Sequence, residues 1–361
     1  MTWLRTGGIP AFIVRRLLLG LLVLWLVSIL VFVSTQALGN PARAILGRNA
    51  TPEALAALEN ELNLDSSKLG QYLSWLNGLL HGSFGNSLAA KQPVTEVLGD
   101  RLINSAILVL LAALISIPLS IAIGSWAALR REKSFDIVTS NAMLLLAALP
   151  EFVIAVLLVI LFATTVSHIF PAISPVPPGT RPWDNPDILV LPTLCLVLAV
   201  APYVSRIMRA SMVEVLESDY VEMARLKGLS ERTVLIRHAL PNAIGPVFQV
   251  IAINLAYLAG GVVVVEYVFN YPGIGSALQE AVINHDLPVV QALAMLIATV
   301  YVVLNLMADV ATILVTPRLR TRLLAPSTRT RPSLRSRAAR HRSSRRPSWR
   351  DHFDSGGPGS G

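Results

Sequence analysis

The chain has 361 residues, of which 53% are apolar and 14% are charged, and its mean hydropathy is +0.60. Because a soluble domain usually carries about 25% charged residues, this composition excludes an ordinary soluble fold and predicts that lipid surrounds most of the chain. The formal charge of +8 is uneven, since residues 317–361 hold 12 Arg against 2 Asp and the remainder is nearly neutral.

The first predicted element is an apolar helix near the N-terminus. Arg15 and Arg16 precede it, as basic residues do in a signal peptide. The uncharged run 17–38 is 22 residues long, however, whereas the apolar region of a signal peptide has about 7–15. We therefore interpret 12–36 as a retained transmembrane helix, within an N-terminal unit of residues 1–38.

Five further segments are apolar and long enough to cross a bilayer at about 1.5 Å per residue. They are 102–129, 136–167, 188–210, 242–268 and 287–315. Uncharged runs of this length satisfy their backbone hydrogen bonds in lipid only as helices. The sequence thus predicts an all-α integral membrane protein with six transmembrane helices, five of them in a core of residues 102–316.

Basic residues predict the orientation of these spans. Lys and Arg gather before the first span, between the second and third, and between the fourth and fifth, whereas the segment 169–187 holds only Arg181. Positive charge marks cytoplasmic loops. We therefore expect both termini in the cytoplasm.

The long segment 39–101 would then lie outside the cell. Thr51 followed by Pro52 is typical of a helix start. A second amphipathic stretch over 72–80 ends at Gly82. These patterns predict a small helical cap on the extracytoplasmic side.

The cytoplasmic segment 211–241 carries the clearest local signals. Asp219 and Glu222 have the spacing of a capping box, with Asp219 as the N-cap, and Gly228 suits the position after a helix end. A second short helix is predicted over 230–241, closing at its Leu-Pro pair. We call residues 219–241 the peg, because two short helices pinned by a glycine could dock a cytoplasmic partner.

Polar side chains inside the spans are candidates for the translocation pathway, because such groups are costly in lipid. They are Glu151, Asn254, Glu266, Asn305 and Asp309. Structural pairing is the alternative for Glu151 and Asp309, and Glu266 is close enough to the end of its span to be interfacial. Asn305 and Asp309 share one helix face.

The sequence offers no enzyme chemistry of its own. It lacks the glycine-rich phosphate loop of an ATPase, so we expect no bound cofactor and ATP hydrolysis in a separate subunit. The single Cys195 excludes an internal disulfide, and no metal site or catalytic residue is predicted. An intramembrane protease and an ion-driven transporter remain as rival classes, although neither explains the peg.

The peg resembles the EAA loop of ATP-binding-cassette (ABC) importer permeases, written E-A-A, three residues, G, nine residues, I, one residue, L-P. Glu222-Met223-Ala224, Gly228 and Leu240-Pro241 match it, with Met223 in place of the first Ala and His238 in place of Ile. His at that position is similar to the B-type permeases of dipeptide and oligopeptide importers. Further similar segments are 41–43, 62–65, 81–87, 266–275, 286–291 and 305–318, so the resemblance covers roughly 10–320.

The resemblance implies a pore subunit in the bacterial inner membrane. Its partners would be a C-type permease, two subunits that bind ATP and Mg, and an extracytoplasmic solute-binding protein. The cargo would be a dipeptide or oligopeptide, with nickel, haem, glutathione or another small solute as the alternative. The residues implied to contact the ATPase are Asp219, Tyr220, Glu222, Met223, Ala224, Arg225, Lys227, Gly228, His238, Leu240 and Pro241.

Residues 317–361 are rich in Arg, Ser and Pro and predict a disordered cytoplasmic tail. A nucleic-acid partner is not expected, because the aromatic and structural context for one is missing. Attraction to anionic lipid of the bilayer is the simpler interpretation of its charge.

Overall fold

The computed structural model describes residues 9–37, 51–53, 55–56, 67–177 and 179–315. Within these ranges the chain is helical and forms no sheet. The helices are α1 (Ile9–Ala37), α2 (Lys68–Leu80), α3 (Val94–Leu129), α4 (Ser134–Ala148), α5 (Glu151–Val159), α6 (Asp187–Leu216), α7 (Asp219–Leu226), α8 (Leu240–Val268), α9 (Ile274–Ile283) and α10 (Leu287–Val315). The predicted tail 317–361 lies outside the described residues.

In the part of the chain that the structure describes, five helices are long and apolar enough to cross a membrane: α1, α3, α6, α8 and α10. The predicted span 136–167 is instead a bent pair, α4 and α5, whose axes differ by 107°. The bend falls at Leu149-Pro150, where Leu149 is extended with ψ 132°. Proline disfavours the helical conformation in the residue before it, which agrees with the extended Leu149 that ends α4 and with Pro150 as the N-cap of α5.

Proline does not break the other spans. Helices α3 and α6 continue through Pro118, Pro192 and Pro202. The predicted closure of a short helix at Leu240-Pro241 is wrong, because a π-helical turn over Val234–Ala239 leads directly into α8. Pro241 lies in the first turn of α8, a position that proline tolerates well.

Helix α6 is the central element of the bundle. In its most apolar stretch 72% of the residues are buried, against 17% for α1. Gly124 of α3 allows close approach, since a Cβ there would lie 2.5 Å from the Ser205 carbonyl oxygen and 2.8 Å from Met208 Cβ. Helix α1 lies at the periphery and packs on α10, where Arg16 and Asp309 form an ion pair at 3.1 Å.

The bundle has two ends, which we name by what they carry. The cap face carries α2 and α9, and the loop face carries the peg. Helix α2 contains the amphipathic stretch predicted over 72–80. The Ser28 hydroxyl of α1 is hydrogen-bonded to the Tyr72 hydroxyl of α2 at 2.9 Å. Helix α3 begins at Val94, inside the predicted cap 39–101, and α9 was not predicted at all.

Candidate coupling surface and pathway

Helix α7 forms the first half of the peg. Its N-cap is Ser218, and Asp219 is already helical, so the predicted capping role of Asp219 is wrong. The Ser218 hydroxyl instead donates to the Val215 carbonyl at 2.6 Å. Val221 and Ala224 are buried against the end of α6, which fixes the face that α7 turns inward.

Gly228 reverses the chain after α7. It has φ +77°, a left-handed conformation that glycine adopts without a steric penalty. Its N–H donates to the Arg225 carbonyl at 2.9 Å, and Leu229 N–H reaches the Ala224 carbonyl at 3.4 Å. A Cβ at Gly228 would have no atom within 4 Å, so conformation and not space calls for glycine here.

The outward face of α7 carries large side chains that are about half exposed or more. Tyr220, Met223 and Leu226 are 48%, 54% and 75% exposed and recur every three residues, which puts them on one side of the helix. Glu222 and Lys227 are exposed beside them. An apolar stripe with a charged margin on a short projecting helix is a surface suited to a protein partner.

Side-chain contacts hold the two halves of the peg together. The Arg225 guanidinium donates to the Glu231 carboxylate at 3.0 and 3.4 Å. The Tyr220 hydroxyl lies 2.7 Å from His238 Nδ1, with the rings packed edge to face. The predicted coupling residues 219–228 and His238 are therefore adjacent in space, and Ala224 lies beneath them.

A buried ion pair anchors the loop face below the peg. Arg209 of α6 donates to both carboxylate oxygens of Asp136 at 2.5 and 2.6 Å, and Glu132 N–H donates to the same carboxylate at 3.0 Å. Arg131 pairs with Glu217 at the end of α6. Sequence reasoning missed Asp136, although an acid at the start of one span and a base near the end of another are a usable signal.

Three of the predicted pathway residues have partners of their own. Asp309 pairs with Arg16, which favours structural pairing for this residue. Asn305 donates to the Tyr301 carbonyl at 2.9 Å, and Asn254 donates to the Val250 carbonyl at 2.8 Å. These bonds account for the polar groups without a pathway, so a transport role for Asn254, Asn305 and Asp309 stays a prediction.

Glu151 is different, because it begins α5 at the bend and borders a cavity of about 280 Å³. Tyr203 of α6 and Tyr257 of α8 line the same cavity. One carboxylate oxygen, Oε1, is buried and has no hydrogen-bond partner among the described residues. Of the predicted pathway residues, it is the one with an unsatisfied polar atom.

Glu266 is fully buried within the protein near the cap-face end of α8, so packing and hydrogen bonds account for it. Its carboxylate accepts hydrogen bonds from the Ser105 hydroxyl and, at 2.6 Å, from Gly275 N–H. Ser105 in turn accepts from Ile274 N–H at 2.8 Å. The carboxylate therefore joins α3, α8 and α9 at the cap face, and the acid close to a Pro-Gly turn was the available sequence signal.

The cap face also holds a cavity of about 740 Å³. Asp286 at its edge accepts from the Ser87 hydroxyl at 2.5 Å and from the N–H groups of Leu88 and Ala89 at 3.1 and 3.2 Å. Arg101 pairs with Glu280 at 2.7 Å across the same cavity. Within the described ranges, no three His, Cys, Asp or Glu residues are grouped as a metal site would require.

Comparison with known families decides the class of the protein. Residues 120–321 match the model of the binding-protein-dependent transport system inner membrane component, and residues 9–112 match the model of its N-terminal region. The chain belongs to this family. It is a multi-pass permease component of an ABC importer, which confirms the family that the resemblance implied, while the coupling role of the peg stays a prediction.

Curated relatives match along almost their whole length. A protein named as a peptide transport system permease in Brucella abortus (strain 2308) is 37% identical over 311 residues, which is 86% of this chain and 99% of the relative. The glutathione transport system permease GsiC of Salmonella choleraesuis is 33% identical over 310 residues, covering 86% and 98%. Among solved structures, an amino acid ABC transporter matches 63% of this chain and 94% of its own with a TM-score of 0.39 and 16% identity.

Proposed function

We propose that this permease forms one half of a pore that imports dipeptides or oligopeptides, paired with a C-type permease. Two ATP-binding subunits, which hold ATP and Mg, would contact the loop face, and a solute-binding protein would deliver cargo to the cap face. The exposed stripe of Tyr220, Met223 and Leu226 on a rigidly held peg is the observation that carries the coupling role. The peptide cargo is supported by the names of the relatives.

The peg is suited to transmit movement because both its ends lead directly into spans. Helix α7 follows α6 after Glu217 and Ser218, and the turn Val234–Ala239 continues into α8 without a break. Closure of the ATPase subunits on ATP would press on α7 and rock α6 and α8 between inward-open and outward-open states. Arg130, Arg131 and the basic residues of the peg lie at this end, which supports cytoplasmic placement of the loop face and of both termini.

Glutathione is the second candidate cargo, because a relative of equal coverage bears that name. The two candidates separate in one uptake assay with the reconstituted complex. ATP-driven uptake of labelled trialanine that excess glutathione does not inhibit would support peptide import. Uptake of glutathione without uptake of trialanine would show that glutathione, and not a peptide, is the cargo.

The subunit composition is tested by mild-detergent purification of the tagged chain from its native membrane, followed by mass spectrometry. Recovery of a second permease and of subunits with ATP-binding motifs is expected. Purification of the chain alone, even after crosslinking through 219–228, would contradict the proposal.

A further inference from the structure

The cavity at the α4–α5 bend lies at the middle of the bundle. The segment 146–151 lines it together with Tyr203 and Tyr257, which lie near the midpoints of α6 and α8. The two tyrosines are 44% and 48% exposed, although their hydroxyls are at a depth where lipid offers no hydrogen bonds. Polar groups so placed indicate a water-filled route or a bound ligand.

The described lining of this cavity carries no positively charged side chain, and its two phenols can accept hydrogen bonds as well as donate them. Glu151 is its one charged residue within the described part of the chain, and Lys, Arg and His are absent from that lining. Its Oε1 is unpaired there, while the Tyr257 hydroxyl interacts with the carboxylate. Helix α4 ends at Ala148, so its last carbonyls bring the negative end of one helix dipole to the cavity, beside the N–H groups of the first turn of α5. A cation completes such a site.

The size of the cavity narrows the class of cation. A water molecule occupies about 30 Å³ in the liquid, so 280 Å³ holds far more than a bare metal ion and fits the first residue of a peptide. A primary ammonium carries three N–H donors, and the carboxylate, the two phenols and the carbonyls supply acceptors in three directions.

We propose that this cavity binds the α-ammonium group of the peptide in transit, with Glu151 as its ion-pair partner and with Tyr203 and Tyr257 as further acceptors. The proposal rests on peptide import as the function. It gives the pathway a preference for a free amino terminus, additional to whatever the solute-binding protein selects.

The test compares ATP-driven uptake of trialanine and N-acetyltrialanine by the whole complex in proteoliposomes. The solute-binding protein is the same in every complex, so its own preference cancels when the uptake ratio of the two peptides is compared between variants. In Glu151→Gln the trialanine to N-acetyltrialanine ratio should fall about tenfold, as expected when one charge-assisted hydrogen bond is lost. Glu53→Gln, an exposed residue away from the cavity, should leave the ratio unchanged.

An unchanged ratio in Glu151→Gln, or an equal loss of both peptides, would overturn the assignment while leaving peptide import in place. Failure of the unmodified complex to transport either peptide would instead show that peptides are not the cargo. The assignment of the cavity to the α-ammonium group would then be wrong as well. Should Glu151→Gln not assemble, Tyr257→Phe removes only a hydroxyl. It should lower the same ratio about threefold, and no change there would overturn the assignment.

Discussion

Glu266 shows how a single carboxylate can be held inside the bundle. Its side chain is fully buried at the junction of α3, α8 and α9, where an ion without partners would cost several kcal/mol. The Ser105 hydroxyl and Gly275 N–H supply donors, and Gly273 leaves room for the carboxylate. Burial raises the pKa of Tyr271, and the negative charge of the nearby Glu266 raises it further. The Tyr271 hydroxyl therefore stays protonated, and it donates a hydrogen bond to the Asn104 carbonyl.

Gly273→Ala should destabilise this junction. The added Cβ would overlap the Glu266 carboxylate, and overpacking of this kind costs about 2 kcal/mol. Thermal unfolding in detergent is expected to show a lower transition temperature. Gly99→Ala is the matched control, because its Cβ would meet no atom within 4 Å. Equal transition temperatures for the two variants would contradict the packing described for Glu266.

Asp136→Asn should weaken the loop face in the same assay. The change removes the charge that Arg209 and Glu132 N–H contact, and loss of one partner of a largely buried pair costs about 3 kcal/mol. Glu132→Gln alters a carboxylate that is 83% exposed and should have little effect. A similar shift in both variants would show that the Arg209 pair contributes no more than a surface contact.

The residues of the two candidate sites differ in how far sequence could reveal them. The predicted coupling residues 219–228 follow one another along the chain, so a local pattern was sufficient to propose them. Glu151, Tyr203 and Tyr257 come from three helices, and only the packing of those helices brings them together. Hydropathy locates helices in lipid but carries no information on which faces meet.

At the scale of elements, the peg depends on the turn at Gly228. Gly228→Asp should abolish coupling, with ATP-driven uptake reduced at least tenfold while the chain still assembles with its partner permease. A residue with a side chain disfavours φ +77° by about 1 kcal/mol, so the turn at Gly228 should change its conformation. A changed turn would reorient α7 and with it the stripe of Tyr220, Met223 and Leu226. Uptake and ATPase activity of the reconstituted complex are the measurements.

Gly82→Asp is the control for that variant, since Gly82 has φ +76° and an equally open surrounding, but it lies on the cap face. It carries the same backbone strain without touching the peg. Uptake lost to the same extent in both variants would point to general instability, and normal uptake in Gly228→Asp would remove the peg from the coupling mechanism.

Helix ends were harder to predict than helices. Pro241 resembled a stop signal, but it occupies the first turn of α8, where proline is tolerated. Ser218 and Asp219 are both good N-cap residues, and sequence alone could not choose between them. Helix α9 was missed because a ten-residue apolar segment is too short to be recognised as a span.

For the whole molecule, α6 connects the central cavity, the Arg209–Asp136 pair and the base of the peg. It contributes Tyr203 to the central cavity, Arg209 to the buried ion pair and its last turn to the base of α7. A displacement at the peg therefore reaches the middle of the bundle through one continuous helix. We infer that transport and coupling share this helix as their physical link.

Deletion of residues 325–361 should leave uptake intact. The family match ends at residue 321, and the Arg-rich remainder has the composition of a segment without a packed core. Reconstituted uptake and the amount of chain in the membrane would be compared with the full-length protein. Loss of uptake at equal expression would show that the tail has a transport role.

The coupling role of the peg is the central claim, and site-directed crosslinking tests it most directly. Cys195 is buried, so Met223→Cys would present the one accessible thiol. A reagent that bonds to this thiol through a maleimide and inserts into a neighbouring chain through a photoactivated benzophenone should join it to an ATP-binding subunit in native membranes. Trp183→Cys, which is exposed and lies outside the peg, should give no such product. An adduct of the ATP-binding subunit with Met223→Cys is the predicted result. Its absence in membranes that transport normally would contradict the account.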